Sequence, residues 1–99
     1  MSITQLTRFK SDNADEMVKA AKQAKKIFEK HGAEWLRLGR YHSGPFAGEW
    51  SAASRYSSWE AYGKAQEGLA KDPEFAKLQA HMTTFAQLTG RNITVGFDL

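Results

Sequence analysis

The order strand, helix, strand, strand, helix, helix, strand predicts an α+β fold, a ferredoxin-like split βαβ (β-α-β-β-α-α-β) with a four-stranded antiparallel sheet. Three observations carry that expectation. Two alternating segments flank Ser43-Gly44-Pro45-Phe46, so the middle strands should pair as an antiparallel hairpin. Asp72-Pro73-Glu74 is a helix start, with Asp at the cap and Pro at the first helical position, so the second helical region breaks in two. Ninety-nine residues leave room for one hydrophobic core, so the pattern belongs to a single domain, 1–99.

Residues 2–10 alternate, with Ile3, Gln5, Thr7 and Phe9 on one side and Thr4, Leu6, Arg8 and Lys10 on the other, which reads as a strand. Asp12 or Asn13 can cap the next segment, and Asp15 and Glu16 suit the positive end of a helix dipole. Met17, Ala21, Ala24 and Phe28 recur at helical spacing, and Gly32 is a natural terminator, so a helix is expected over 13–31. His31 in its last turn complements the dipole. Strands are expected over 34–42 and 47–56. A four-residue loop would set Arg40 against Glu49 and Trp50 over Gly39. Ser57 with Glu60 forms the pattern of a capping box before Trp59, Tyr62, Gln66 and Leu69. The stripe of Phe75, Leu78, Met82, Phe85 and Leu88 should run to Gly90, with a last strand over 92–99.

Composition removes whole classes of function. The chain has no cysteine, which excludes disulfides, thiolate metal sites and a cysteine nucleophile and suits a reducing cytoplasm. No apolar run approaches the roughly 20 residues of a membrane span, and the start of the chain lacks a signal-peptide core. Net charge is +3, but Lys19, Lys22, Lys25, Lys26 and Lys30 lie at helical spacing without Arg or aromatics between them. They read as a solvated helix face, so no nucleic-acid partner is expected.

In the four-residue-loop register, Trp35, Tyr41, Trp50 and Tyr56 share one sheet face and Leu36, Leu38 and Ala53 the other. Neither would face water comfortably, so a homodimer covering the open face is expected.

The run Tyr56-Ser57-Ser58-Trp59-Glu60-Ala61-Tyr62, followed by Leu69 and Asp72-Pro73-Glu74-Phe75, resembles the dimeric α+β barrel superfamily. The Gly44-Pro45…Gly48 hairpin is most similar to its NIPSNAP-like branch, with the antibiotic-biosynthesis-monooxygenase-like branch close by. The resemblance implies two subunits joined sheet to sheet in a barrel with the helices outside. It also implies a range of functions: cofactor-independent monooxygenases, haem-degrading monooxygenases, small isomerases and cyclases, stress-response proteins, and members without a known activity. Fold alone does not choose among them. In the haem-degrading members a helix histidine ligates the iron, and His81 is the nearest counterpart. It falls six residues beyond Phe75, a wider spacing than the family pattern, and Gln5 stands where those enzymes carry asparagine. A cofactor-free protein is therefore expected, with His81 a surface or half-buried side chain.

No nucleotide-binding glycine loop, nucleophile elbow or paired metal-binding histidine is present. The residue types that could line an aromatic pocket with a cation are Arg37, Tyr41, His42, Trp50, Tyr56, Trp59 and His81. The same residues could instead fill a core or an interface. The sequence thus predicts an α+β barrel homodimer of undetermined activity, with a small aromatic or polyketide-like ligand between sheet and helices. The alternative is a cofactor-independent or haem-degrading monooxygenase.

Overall fold

The computed structural model describes residues 1–99. Its elements are β1 (Ser2–Lys10), α1 (Ala14–Lys30), β2 (Trp35–Arg40), β3 (Trp50–Tyr56), α2 (Trp59–Ala70), α3 (Pro73–Met82) and β4 (Gln87–Gly96). The four strands form one antiparallel sheet in the order β2-β3-β1-β4, so β2 and β4 are its edges. All three helices lie on one face, against which β1 buries Ile3, Gln5 and Thr7, the alternation expected from its sequence. No helix is long and apolar enough to cross a membrane.

The hairpin differs from expectation by one residue. Arg40 faces Trp50 and Gly39 faces Ser51. The cause lies in the loop, which closes at Tyr41 and Glu49 rather than at His42 and Ala47. Tyr41 N–H donates to Glu49 C=O at 2.9 Å and Gly48 N–H to Tyr41 C=O at 2.8 Å. An inner turn, Ala47 N–H to Gly44 C=O at 3.1 Å, is flanked by Gly44 (φ 88°) and Gly48 (φ 89°), positive values which glycine adopts without strain. A one-residue slip exchanges faces. Trp50 and Tyr56 therefore turn toward the helices with Leu36 and Leu38, while Trp35, Arg37, Ala53 and Arg55 take the outer face. The outer face is accordingly more cationic than the sequence pattern suggested.

Asn13 caps α1, its Oδ1 accepting from Glu16 N–H at 3.1 Å, and Gly32 (φ 105°) ends it. The α2 cap is Ser58, whose Oγ accepts from Ala61 N–H at 3.0 Å, not Ser57. β3 runs to Tyr56 and leaves Ser57 to turn the chain, and Glu60 pairs with Lys64 at 3.3 Å. α3 stops at Met82, short of the expected stripe. The Thr83 and Thr84 hydroxyls each donate at 2.7 Å to carbonyls three residues back, Ala80 and His81, and so compete with the helix. β4 consequently starts at Gln87. Gly90 is part of it, and the Arg8 guanidinium lies where a side chain would otherwise stand.

α3 is anchored to α1 by Asp72. Its Oδ1 accepts from Glu74 N–H (2.8 Å) and Phe75 N–H (3.3 Å), while Oδ2 accepts from His31 Nε2 (2.6 Å) and Lys30 Nζ (2.8 Å). The Lys30 and His31 contacts hold the Asp72 carboxyl well below the usual carboxylate range. The His31 ring lies directly against Gly68, which has no room for a Cβ. His31 thus does more than complement a helix end: it ties two helices together. Two small apolar clusters complete the core, one around Ile3, Ala33, Tyr56 and Ala65, the other around Ala20, Ile27, Leu69 and Leu78, and Phe28 packs on both.

Candidate functional site: a cavity between sheet and helices

The sheet and the helices do not close fully on each other. Between them lies a cavity of about 460 Å³. Its origin is in the sequence. α1 presents Ala20, Ala21 and Ala24, β3 presents Ala52, α2 and α3 present Ala70 and Ala76, and Ala86 comes from the α3–β4 connection. Short side chains meeting across an interface leave unfilled space. The larger apolar walls are Phe9, Met17, Phe28, Leu36, Leu38, Leu69, Phe75, Leu78, Met82 and Leu88.

The polar groups of the lining are Gln5, Thr7, Ser54, Gln66, Gln79, Thr83 and Arg91. Gln5 and Ser54 are direct cross-strand neighbours on the sheet floor. Tyr62 OH donates to Gln5 Oε1 at 2.7 Å, and Tyr56 OH donates to Ser54 Oγ at 3.2 Å. Two tyrosines on the helix side of the sheet thus fix the floor, their rings edge to face at 5.3 Å. Burial pushes the Tyr56 hydroxyl above its ordinary value, against the opposing hydrogen bond to Ser54, so it remains a neutral donor. Gln66 lies near enough to that hydroxyl to oppose the shift slightly, yet its buried Nε2 makes no hydrogen bond of good geometry. A buried amide donor without a partner costs free energy, and a ligand acceptor or a water can satisfy it. Arg91, opposite Thr7 in the β1–β4 ladder, is the one charged residue of the lining, and its Nε reaches Thr7 Oγ1 at 3.4 Å. No carboxylate or imidazole lines the cavity, and no cluster of His, Asp and Glu comes together that could hold a metal ion.

None of the residues singled out in the sequence lines this space. Arg37 lies on the outer face, stacked 4.2 Å from the Trp35 ring. Tyr41 packs on Phe46 in the hairpin loop, and His42 is exposed beside it. Trp50 is buried toward the helix side, its Nε1 donating to Ser11 C=O at 3.2 Å. Trp59 is 49% exposed and edges onto Tyr62. His81 is exposed on α3, with Nε2 3.3 Å from Glu16 Oε2, so it is not presented to the cavity. Tyr56 comes nearest, one hydrogen bond from the floor at Ser54. Outside that candidate set lie Thr7, Ser54, Gln66 and Arg91, together with Gln5, which the sequence marks only as the counterpart of the haem enzymes' asparagine. Their signal was available in part: Gln5 and Thr7 are polar residues at inward positions of an otherwise apolar alternation.

No family model and no curated protein matches the sequence. Solved structures do. SnoaB, a cofactor-independent oxygenase from Streptomyces nogalater, superposes with a TM-score of 0.71 at 15% identity, over 99% of this chain and 95% of that one. A DABB family protein with a ferredoxin-like fold from Mesorhizobium loti gives a TM-score of 0.70 at 16% identity, over 98% of each chain. A NIPSNAP family protein of unknown function from Agrobacterium tumefaciens gives 0.68 at 11% identity, over 94% of this chain and 86% of that one. At such identities the likeness is one of fold alone, and that fold is the ferredoxin-like α+β fold.

Proposed function

We propose that the chain works as a cytoplasmic homodimer whose cavity holds a small aromatic or polyketide-like ligand carrying an acidic oxygen. The observation that carries this reading is the cavity itself. Its volume of about 460 Å³ falls in the ordinary range for small-molecule sites, roughly 300–1,000 Å³, and its walls are mostly apolar. An unpartnered amide donor, Gln66 Nε2, and one cation, Arg91, suit a carbonyl and an ionisable hydroxyl on an otherwise apolar ring system. The dimer is supported by apolar side chains left in solvent, Leu88, Ile93 and Phe97 on the β4 side and Val18 on α1. The compartment rests on the absence of cysteine.

Binding can be measured by calorimetry with hydroxylated anthraquinones and anthrones. The expected result is saturable binding that Ala24→Phe, which fills the space, weakens at least tenfold without unfolding the protein. Equal affinity in the variant would place the ligand elsewhere.

A second reading is oxygenation without a cofactor. The resemblance to SnoaB motivates it, and Arg91 is the residue that favours it. A guanidinium beside the ring hydroxyl or enol would favour its anion, and an electron-rich carbanion-type anion can react with O₂ directly. The balanced change is R₂CH₂ + O₂ → R₂C=O + H₂O, one oxygen entering the ring carbon and the other leaving as water with its two hydrogens. Oxygen uptake with an anthrone in metal-free buffer, lost in Arg91→Gln while binding persists, is the result this reading expects. Binding with no oxygen uptake would leave a binding protein.

A further inference from the structure

The sheet floor of the cavity is a row of three polar side chains, Gln5 and Thr7 of β1 and Ser54 of β3, all buried. β1 has a paired strand on each side, which holds the backbone of this row in place. Each of the three side chains can both donate and accept. In each, an oxygen already accepts. Gln5 Oε1 takes the Tyr62 hydroxyl at 2.7 Å, Ser54 Oγ takes the Tyr56 hydroxyl at 3.2 Å, and Thr7 Oγ1 takes Arg91 Nε at 3.4 Å. The donors are left over. The hydroxyl hydrogens of Ser54 and Thr7 find no acceptor in the protein, and the Gln5 amide nitrogen makes no hydrogen bond. Gln66 Nε2, reaching the same end of the cavity from α2, is a fourth donor without a partner.

Tyr62 decides the sense of Gln5. A primary amide offers an acceptor on one side and a donor on the other, and half a turn exchanges them. Tyr62 does not itself line the cavity. Its ring is held edge to face by Tyr56 at 5.3 Å and by Trp59 at 6.0 Å, and its hydroxyl meets Gln5 from α2. With the carbonyl end of Gln5 engaged there, the NH₂ end is left for the cavity.

We infer that the floor is a donor-only surface, which selects ligands presenting an acceptor oxygen to the sheet and rejects those presenting an N–H there, and that Tyr62 is the positioning residue that gives Gln5 this sense. A ligand carbonyl or enolate oxygen satisfies donors that otherwise stay unpaired. A ligand N–H sets donor against donor, and both sides lose the hydrogen bonds they make in water. The inference rests on the ligand site proposed above and specifies the chemistry of its floor.

Three planar tricycles of nearly equal size test it, because they differ only at one bridging position: fluorenone carries C=O, fluorene CH₂ and carbazole N–H. Fluorescence titration of the parent chain should rank them in that order, with at least tenfold between fluorenone and carbazole. Equal affinities, or carbazole the tightest, overturn the inference and leave the cavity as an apolar ligand site. No saturable binding of these three or of hydroxylated anthraquinones overturns the site as well. In Tyr62→Phe the Gln5 amide is free to turn, so the preference for fluorenone over carbazole should shrink at least threefold, with carbazole gaining affinity. If Tyr62→Phe weakens both ligands by one factor, Tyr62 braces the fold and does not set the sense of Gln5. An infrared measurement on the parent chain needs no variant. The carbonyl stretch of bound fluorenone should lie below its value in an alkane solvent, as hydrogen bonding requires, and should move back toward that value in Gln5→Met. A bound stretch equal to the alkane value refutes the donor floor.

Discussion

Two regions a few residues apart in sequence are built on opposite terms. At the α1–α3 junction, Asp72 accepts four hydrogen bonds, from Glu74, Phe75, His31 and Lys30, and the His31 ring fills the space that Gly68 leaves. In the cavity, a row of alanines leaves about 460 Å³ open and Gln66 Nε2 stays unpartnered. Both regions contain polar groups in the interior. In the first, every lone pair invoked is used, which is what stability demands of a buried carboxylate. In the second, packing and hydrogen bonding both stop short, which a fold tolerates where something else is to be held. The difference marks a candidate ligand site that the density of aromatic residues does not.

The comparison is broken most directly by adding atoms to each region. Ala24→Phe should abolish most ligand binding, by at least tenfold, and leave the thermal midpoint equal or raised, since it fills space that is already open. Gly68→Val should do the reverse. It forces His31 away from Asp72, and overpacking of this kind costs about 1–3 kcal/mol. Urea unfolding of both variants checks the pair. If Ala24→Phe is the more destabilised, the cavity is not the loosely filled region it is taken to be.

Acid pH separates the same regions next. The folded Asp72 carboxyl titrates well below its unfolded value of about 3.9. Its contribution is therefore fully present above about pH 4 and is lost as pH falls below that. The wild-type urea midpoint should decline from pH 5 to pH 2, and Asp72→Asn should flatten that decline while lowering the midpoint at neutral pH. Ligand affinity in Asp72→Asn should be unchanged, because the carboxylate does not line the cavity. A parallel acid slope in both proteins would assign the decline to other carboxylates.

Much of the fold was legible because hydrophobic period survives without tertiary information. The inward side of β1, the span of α1 and the Asp72-Pro73 break all follow from spacing and caps. The hairpin register was not, because it depends on two glycines taking positive φ inside a loop that looked four residues long. That single residue parts Trp50 and Tyr56, which face the helices, from Trp35 and Arg37 on the outer face, and so divides the expected pocket between the two faces. The cavity was hidden for a further reason. Empty space arises where small residues of different elements line one space, Ala24 of α1 and Ala52 of β3 among them, and no single-segment pattern records that. The polar floor left a trace at Gln5 and Thr7, but Gln66 and Arg91 reach it from elements whose orientation only the fold determines.

A smaller effect tests whether the unpartnered donor belongs to the site. Gln66→Met keeps the volume and removes the amide. Stability should change by no more than about 1 kcal/mol, in the stabilising direction, because a buried donor without a partner is relieved. Affinity for a carbonyl-bearing ligand should fall about tenfold, which is the roughly 1.4 kcal/mol of one hydrogen bond to a ligand. A clear loss of stability with unchanged affinity would make Gln66 part of the satisfied framework instead.

The smallest expected effect lies at the boundary between the two regions. Tyr56 is fully buried, and its hydroxyl meets the cavity lining at Ser54, with Gln66 close by. Tyr56→Phe keeps the ring that packs with Ile3, Ala33 and Ala65 and removes one hydrogen bond, so it should cost about 0.5–1.5 kcal/mol. The hydroxyl is raised above its ordinary value, so its neutral form favours the fold below about pH 10 and that contribution is lost as pH rises beyond. Wild-type stability should therefore fall at alkaline pH more steeply than that of Tyr56→Phe. Freed from its tyrosine donor, Ser54 can turn toward a ligand, so affinity should move by no more than a few fold. If Tyr56→Phe instead abolishes binding while the urea midpoint at neutral pH hardly changes, the hydroxyl acts on the ligand itself, and the floor of the cavity is a working surface rather than a braced one.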